Sequence, residues 1–184
     1  WYDEAVTIKA AKMGITEMVN FTLNSDVTDF PPVYYMIMKG WIGILGDSPE
    51  SVRMSSVLFG ILTILAMFYT GKELLGVKQG LFAALLMAVS PFDVTYSQEV
   101  RSYALQVLLI TLSIYFFAKV LKEQTRKLGL GYALTITFAI YVHFFSTFIW
   151  CGLVLFHLIY LWRKEPSWKR VLKDMYWEWI VALG

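Results

Sequence analysis

The chain has 184 residues, a hydrophobic fraction of 58% and a mean hydropathy of +0.57. Soluble domains average roughly 45 to 50% apolar residues, and a soluble core of this size could not bury the long apolar blocks found here. The composition therefore excludes an ordinary soluble domain, and a net charge of only +2 gives no reason to expect a nucleic-acid partner.

The first 51 residues predict an extracytoplasmic loop with juxtamembrane helices. Apolar residues recur at helical spacing over residues 3–23, with Lys9 and Lys12 between them, which predicts an amphipathic helix on the membrane surface. Residues 24–32 are rich in Asp, Ser and Pro and predict a loop. Residues 33–45 continue a helix that is too short to span, so we expect it to be interfacial.

The second predicted region, residues 52–184, is a bundle of transmembrane helices. Apolar segments of near-spanning length predict helices at about 52–71, 77–90, 102–121, 128–142 and 144–162, with the start of another near 175. The expected fold is thus an all-α, polytopic helical bundle. The chain begins without Met and stops inside an apolar run, so we expect a fragment truncated at both ends.

Charge placement predicts the orientation of the bundle. Three short basic segments, at 72–78, 119–127 and 163–173, fall on one side if the spans alternate, and the positive-inside rule makes that side cytoplasmic. The opposite side receives residues 1–51, the loop at 90–102 and the turn around His143, together with most of the acidic residues. We therefore expect a multi-pass plasma-membrane protein with an acidic extracytoplasmic face.

Charged residues on that face are the candidates for chemistry. Asp3 and Glu4 open the first helix, where acids also simply favour the positive helix end. Glu99 and Arg101 stand at the mouth of a span, where partly desolvated charges are costly unless they are paired or used. His143 lies in a tight turn on the same side, as either an interfacial residue or a ligand.

Two carboxylates, an arginine and a histidine at one membrane face favour transfer chemistry on a charged, lipid-linked donor. A carboxylate can act as a general base, while a cation or metal stabilises a leaving phosphate. The alternative is a transporter or lipid flippase that uses the same acids to bind an ion or substrate. Such proteins place charges or broken helices near the bilayer midplane, whereas the predicted spans from Val57 onward are nearly free of charge. A non-catalytic scaffold would leave Glu99 and Arg101 unexplained.

Four motifs in order along the chain carry a family resemblance: Asp3-Glu4, the Phe-Pro-Pro-Val-Tyr-Tyr segment at 30–35, the Arg-Met-Ser-Ser-Val-Leu-Phe-Gly segment at 53–60, and Ser90-Pro91 followed by Tyr-Ser-Gln-Glu-Val-Arg-Ser-Tyr at 96–103. The set resembles the membrane glycosyltransferases of the GT-C superfamily, in the branch with protein O-mannosyltransferases, the lipid A aminoarabinose transferase and RgtA/B/C/D-like enzymes. Phe30 stands where relatives have His, and Val100 where they have Ala.

The resemblance implies an inverting hexosyl- or pentosyltransferase that uses a polyprenyl-phosphate sugar donor and a lipid, glycan or protein acceptor. It implies catalytic carboxylates at Asp3, Glu4 and Glu99, with Asp3 as the candidate base, and a phosphate contact at Arg101. The candidate substrate-binding residues that lie in or beside the same motifs are Tyr34, Tyr96, Gln98, Tyr103 and His143. A divalent metal, if one is used, would have Asp3, Glu99 and His143 as candidate ligands.

Overall fold

The structure, a computed structural model, describes residues 2–24, 32–123, 125–164, 166–167, 171 and 174–183, apart from the side chains of Tyr2, Asp3, Leu23 and Leu183. The described residues are helical and contain no strand, which confirms the expected all-α membrane bundle. The helices, in chain order, are α1 Tyr2–Lys12, α2 Ile15–Asn24, α3 Val33–Leu45, α4 Pro49–Leu75, α5 Val77–Ala88, α6 Pro91–Tyr96, α7 Ser102–Glu123, α8 Arg126–Val142, α9 Ser146–Lys164 and α10 Tyr176–Leu183.

Three helices, α4, α7 and α9, are long and apolar enough to cross a membrane in the described part of the chain. Helix α5 has 12 residues, which corresponds to only about 18 Å at 1.5 Å per residue, against roughly 30 Å of hydrocarbon. Helix α8 has 17 residues and comes closer to spanning length. The division into a loop region and a bundle of spans stays a prediction.

The centre of the bundle is formed by α4, α5, α7 and α8, packed in antiparallel pairs. Helices α4 and α5 cross closely because Gly71 and Gly80 face each other, and a Cβ on Gly71 would lie 2.8 Å from the Gly80 Cα. The turn between the two helices is made by Gly76, whose φ of +107° is unfavourable for residues with a side chain. Small residues therefore set this hairpin.

Several buried threonine hydroxyls in the apolar helices find their acceptors within the bundle. Thr63 donates to the Phe59 carbonyl, and Thr70 donates to the carbonyls of Ala66 and Thr111. Such bonds satisfy polar groups that would otherwise be costly in an apolar environment. Thr63 and Thr70 thus have a structural role.

The single amphipathic helix expected over residues 3–23 is two helices, α1 and α2, with a break at Met13 and Gly14. The Lys39 ammonium of α3 donates to the Met13 carbonyl at 2.6 Å. That carbonyl lies at the end of α1, next to a glycine that stabilises helix poorly. The break lets α1 lie on α3, where Ala10, Ala11 and Met18 pack with Met38.

The two ends of the bundle differ in charge. The end formed by α1, the start of α4, α6 and the α8–α9 turn at residues 143–145 is called the acidic end. The opposite end, where Lys122 of α7 binds Glu73 of α4 at 2.8 Å, is called the basic end.

Candidate active site

Glu4 is the best-defined charged residue of the acidic end. It is 8% exposed, and the Arg53 guanidinium binds it through two bonds, from Nε to Oε1 at 3.1 Å and from Nη2 to Oε2 at 2.9 Å. The Val100 amide also donates to Oε1, at 3.3 Å. These bonds hold the pKa of Glu4 below its ordinary value, chiefly through Arg53, so Glu4 stays ionised.

The same carboxylate links three segments that are far apart in sequence. Glu4 lies on α1, Arg53 on the first turns of α4, and Val100 just before α7. A second bond strengthens the junction, since the Ser56 hydroxyl of α4 donates to the Glu99 carbonyl at 2.6 Å. The backbone at residues 99 and 100 is therefore held from two sides.

Helix α6 forms a rigid wall beside this junction. Pro91 occupies its first turn, and the Ser90 hydroxyl accepts a bond from the Asp93 amide as N-cap. On the side of α4, a Cβ on Gly60 would lie 2.9 Å from the Ser97 Cβ. The residue after α6 can approach α4 only because position 60 is glycine.

These elements enclose an open cleft of about 590 Å³ at the acidic end. The cleft is lined by Glu4, Pro91, Phe92, Thr95, Tyr96, Glu99 and Arg101. It combines carboxylates, a guanidinium and aromatic rings, the mixture of a few polar groups and apolar surface that is typical of small-molecule sites. Glu99 is half-buried there, so its carboxylate can reach a bound molecule while its backbone is fixed.

A smaller, mainly apolar pocket of about 150 Å³ lies on the other side of α6, and its lining also includes Thr63, Asp93 and Ser97. Its walls come from α4, α5, α6 and α7, and include Val57, Ile61, Met87, Val94 and Val107. Tyr96 lines both this pocket and the cleft. An apolar recess and a polar cleft are thus separated by one short helix.

Aromatic rings support Arg101 from below. The guanidinium carbon of Arg101 lies 5.8 Å from the Tyr103 ring centre, within the range of a cation–π contact. Tyr103 in turn contacts Tyr96, at 4.6 Å between ring centres, and His143, at 5.3 Å. These edge-on and tilted rings form an aromatic cluster beside Arg101.

His143 does not line the cleft. It is 2% exposed, packs on Tyr103, Phe144 and Phe145, and accepts a bond from the Phe145 amide at Nδ1. Burial lowers its pKa, which favours the neutral imidazole. His143 therefore lies among aromatic neighbours and not at the cleft, and its predicted substrate contact stays a prediction.

The other predicted residues are spread between the site and the core. Glu4, Tyr96, Glu99 and Arg101 line the cleft. Tyr34 is 2% exposed within the core that joins α1, α3 and α4, and its predicted substrate contact stays a prediction. Gln98 is exposed but does not line the cleft, and the side chain of Asp3 lies outside the described residues.

Metal ligation finds no ready cluster among the side chains that the structure describes. No group of three or more His, Cys, Asp or Glu residues lies close enough together there to hold an ion. His143 packs among rings while Glu99 lines the cleft, so these two of the proposed ligands do not form such a group. The side chain of Asp3, the third, is not described, and a metal role for it stays a prediction.

Arg53 is the functional residue that sequence reasoning missed. Its motif was noted, but no partner was assigned to it. No sequence signal pointed to a distant partner, because the acid Glu50 already lies three residues before Arg53 in the first turn of α4. The partner could not be read from sequence, since Glu4 is 49 residues away.

Comparison with known proteins gives a family match over most of the chain. Residues 29–183 match the family model described as dolichyl-phosphate-mannose-protein mannosyltransferase. No curated protein and no solved structure matches the chain significantly. The matched range includes α6, Glu99 and Arg101, whereas Asp3 and Glu4 lie before it.

Proposed function

Because the chain belongs to the dolichyl-phosphate-mannose-protein mannosyltransferase family and is a membrane glycosyltransferase, we propose that it transfers a sugar from a polyprenyl-phosphate carrier to an acceptor. The observation that supports this donor is the pairing of a polar cleft with an apolar pocket across α6. A lipid-linked sugar phosphate has the same two-part character. Its polar head fits the chemistry of the cleft, and the adjoining part of its hydrocarbon tail fits the pocket.

Arg101 is the proposed phosphate contact. Guanidinium groups bind phosphate oxygens through paired, charge-assisted hydrogen bonds. The Tyr103 ring beneath Arg101 supports the side chain at the cleft edge. Arg101 would stabilise the charge that develops on the leaving polyprenyl phosphate as the sugar departs.

Glu99 is the proposed general base among the described side chains. It would take the proton from an acceptor hydroxyl, whose oxygen attacks the anomeric carbon while the bond from that carbon to the phosphate oxygen breaks. One displacement of this kind inverts the anomeric configuration. Asp3, which the family resemblance favours, stays the alternative base or metal-facing acid.

Glu4 has a different proposed role. Its two oxygens already accept bonds from Arg53 and Val100, and its pKa is lowered, so it is a weak base. A carboxylate held in this way positions other groups. We assign Glu4 to fixing the backbone at residue 100, between the two cleft residues Glu99 and Arg101.

The proposed site faces the extracytoplasmic side. The support is the distribution of basic residues, since Lys72, Lys119, Lys122, Arg163 and Lys164 all belong to the opposite end of the bundle. By the positive-inside rule, that end is cytoplasmic. The acceptor would therefore be a lipid, glycan or protein outside the cytoplasm.

An assay that compares two labelled sugar donors tests this proposal. The whole protein, in membrane vesicles, receives either radiolabelled polyprenyl-phosphate mannose or labelled GDP-mannose, and the washed membranes receive an extract of extracytoplasmic acceptors. We expect label transfer from the polyprenyl-phosphate sugar, with release of polyprenyl phosphate. Transfer from the nucleotide sugar alone, or from neither donor, would overturn the proposal.

A further inference from the structure

A second group of buried titratable residues lies away from the cleft, where α8, α9 and α10 meet. His157 of α9 and Glu178 of α10 pair through Nδ1 and Oε1 at 2.5 Å, with side chains only 4% and 5% exposed. Both residues lie within apolar helices, and His157 is in the half of α9 nearer Lys164. The proposed glycosyl transfer makes no use of them.

The surroundings of the pair are apolar except for one hydroxyl. Phe117 of α7 packs edge-on against the His157 ring, at 5.5 Å between ring centres. Tyr132 of α8 also packs on Phe117 and interacts electrostatically with Glu178. In the described part of the chain, neither the Tyr132 hydroxyl nor the second Glu178 oxygen, Oε2, has a hydrogen-bond partner.

A second contact holds the same helix. Trp177, beside Glu178, packs into a notch at Gly129 of α8, so closely that a Cβ on Gly129 would lie 1.7 Å from the indole ring. The neighbouring core residues on α8 and α10 include Ala133 and Val181. A ring in a notch and a buried acid–base pair together specify one docked position for α10.

The energy of the pair depends on how many protons it holds. With one shared proton, the pair has no net charge, whether it is written as imidazolium and carboxylate or as two neutral groups. With none, a buried carboxylate is left without compensation, and with two, a buried imidazolium is. Tyr132 offers a hydroxyl but no opposite charge, and Phe117 offers neither.

We propose that His157 and Glu178 form a proton-dependent latch, which holds α10 against α8 and α9 while the two side chains share one proton. The latch weakens when the pair loses that proton or gains a second one. This inference does not rest on the proposed glycosyl transfer, and it makes the position of α10 sensitive to pH on both sides of an optimum.

Spin-label distance measurements test the latch in the whole protein, embedded in lipid nanodiscs. Labels are placed on cysteines introduced at Leu134 of α8 and Ala182 of α10, both exposed, in a background where Cys151 is serine and no other cysteine remains. We expect one narrow distance peak near neutral pH. The peak should be lost at both more acidic and more alkaline pH.

Two conservative variants separate the arms of the pH response. Glu178→Gln keeps a hydrogen-bonding partner for His157 but has no carboxylate to ionise, so the alkaline loss should disappear and the acidic loss should remain. In His157→Gln, the acidic loss should disappear and the alkaline loss should remain. A wild-type peak that does not change with pH, or variants whose pH responses match the wild type, would overturn the latch.

Glycine variants provide the matched control for packing. Gly129→Leu fills the notch for Trp177 and should displace the distance peak at every pH. Gly152→Leu on α9 meets open space, with nothing within 4 Å of the new Cβ, and should leave the peak unchanged. An unchanged peak in Gly129→Leu would contradict the docked position itself.

Discussion

Arg53 binds both carboxylate oxygens of Glu4, at 3.1 and 2.9 Å, and so joins two helices whose paired residues lie 49 positions apart. The arrangement combines a charged pair with a backbone bond, because Glu4 also accepts from the Val100 amide. The first helix is thereby tied to the segment that carries Glu99 and Arg101. Several measurable consequences follow from this link and from the cleft beside it.

Replacing Glu4 by Gln should destabilise the acidic end without unfolding the bundle. The amide cannot accept both guanidinium bonds, which leaves Arg53 without its charged partner. Because half of the Arg53 side chain is exposed (48%), water compensates part of the loss. We expect the Tm of the purified protein to fall by roughly 2 to 4 °C, a change of the size that one such bond produces in a domain of this length.

Arg53→Lys distinguishes charge from geometry in the same bridge. Lysine keeps the positive charge but lacks the planar fork that binds both oxygens. We expect an intermediate Tm, between the wild type and Glu4→Gln. Glu17→Gln on α2, an exposed acid, is the control and should not change the Tm. Equal Tm values for all four proteins would show that the bridge contributes no stability.

The Glu4 bridge also predicts a pH dependence. The pKa of Glu4 is lowered in the folded protein relative to its ordinary value of 4.5. The bridge therefore contributes its full stability above pH 4.5, and the contribution is lost as the pH falls through the lower, folded value. Thermal unfolding measured against pH should show the wild-type advantage over Glu4→Gln disappearing in acid. An advantage that grew as the pH fell would contradict this assignment.

Sequence patterns predicted the helical membrane fold well, since hydropathy along one chain determines where apolar helices form. They failed at the break between α1 and α2. Gly14 weakens the helix there, and the Lys39 bond to the Met13 carbonyl is a contact 26 residues away that no local pattern reports. Helical periodicity continues through Gly14, so the pattern alone favoured one helix.

For the site, residue types were informative but contacts were not. Glu99 and Arg101 stood out because charges at the mouth of a span need a reason, and the structure places both in one cleft. His143 was selected because it lies in a tight turn on the same side of the membrane, and its ring is packed among aromatic side chains. Burial depends on long-range packing, which residue type does not reveal.

Gly60→Leu tests whether α6 must approach α4. A Cβ added at position 60 would lie 2.9 Å from the Ser97 Cβ. A leucine there must therefore push the end of α6 away, which changes both the cleft and the pocket. We expect a KM for the polyprenyl-phosphate donor that is raised roughly tenfold, which corresponds to about 1.4 kcal/mol. Gly152→Leu is the control, since its side chain meets open space. Equal KM values in the two variants would argue against this role for Gly60.

Arg101→Lys tests the phosphate contact by keeping the charge and removing the guanidinium fork. A lysine at this position binds phosphate as a point charge and cannot form the paired hydrogen bonds. We expect kcat/KM for the donor to fall roughly 10- to 100-fold, measured by sugar transfer in vesicles. Lys9→Arg on α1, outside the cleft, is the control and should keep the wild-type kcat/KM. Full activity in Arg101→Lys would remove Arg101 from direct phosphate binding.

The most direct test of the central claim is the turnover of Glu99→Gln. The amide preserves the size of the side chain, and the Ser56 bond to the residue 99 carbonyl is a backbone contact that the substitution leaves in place. The variant should insert and bind donor normally but lose sugar transfer by at least roughly 100-fold, the size expected for a general base. Glu17→Gln should keep wild-type turnover. Transfer by Glu99→Gln at the wild-type rate would contradict the assignment of Glu99 as the general base in this cleft.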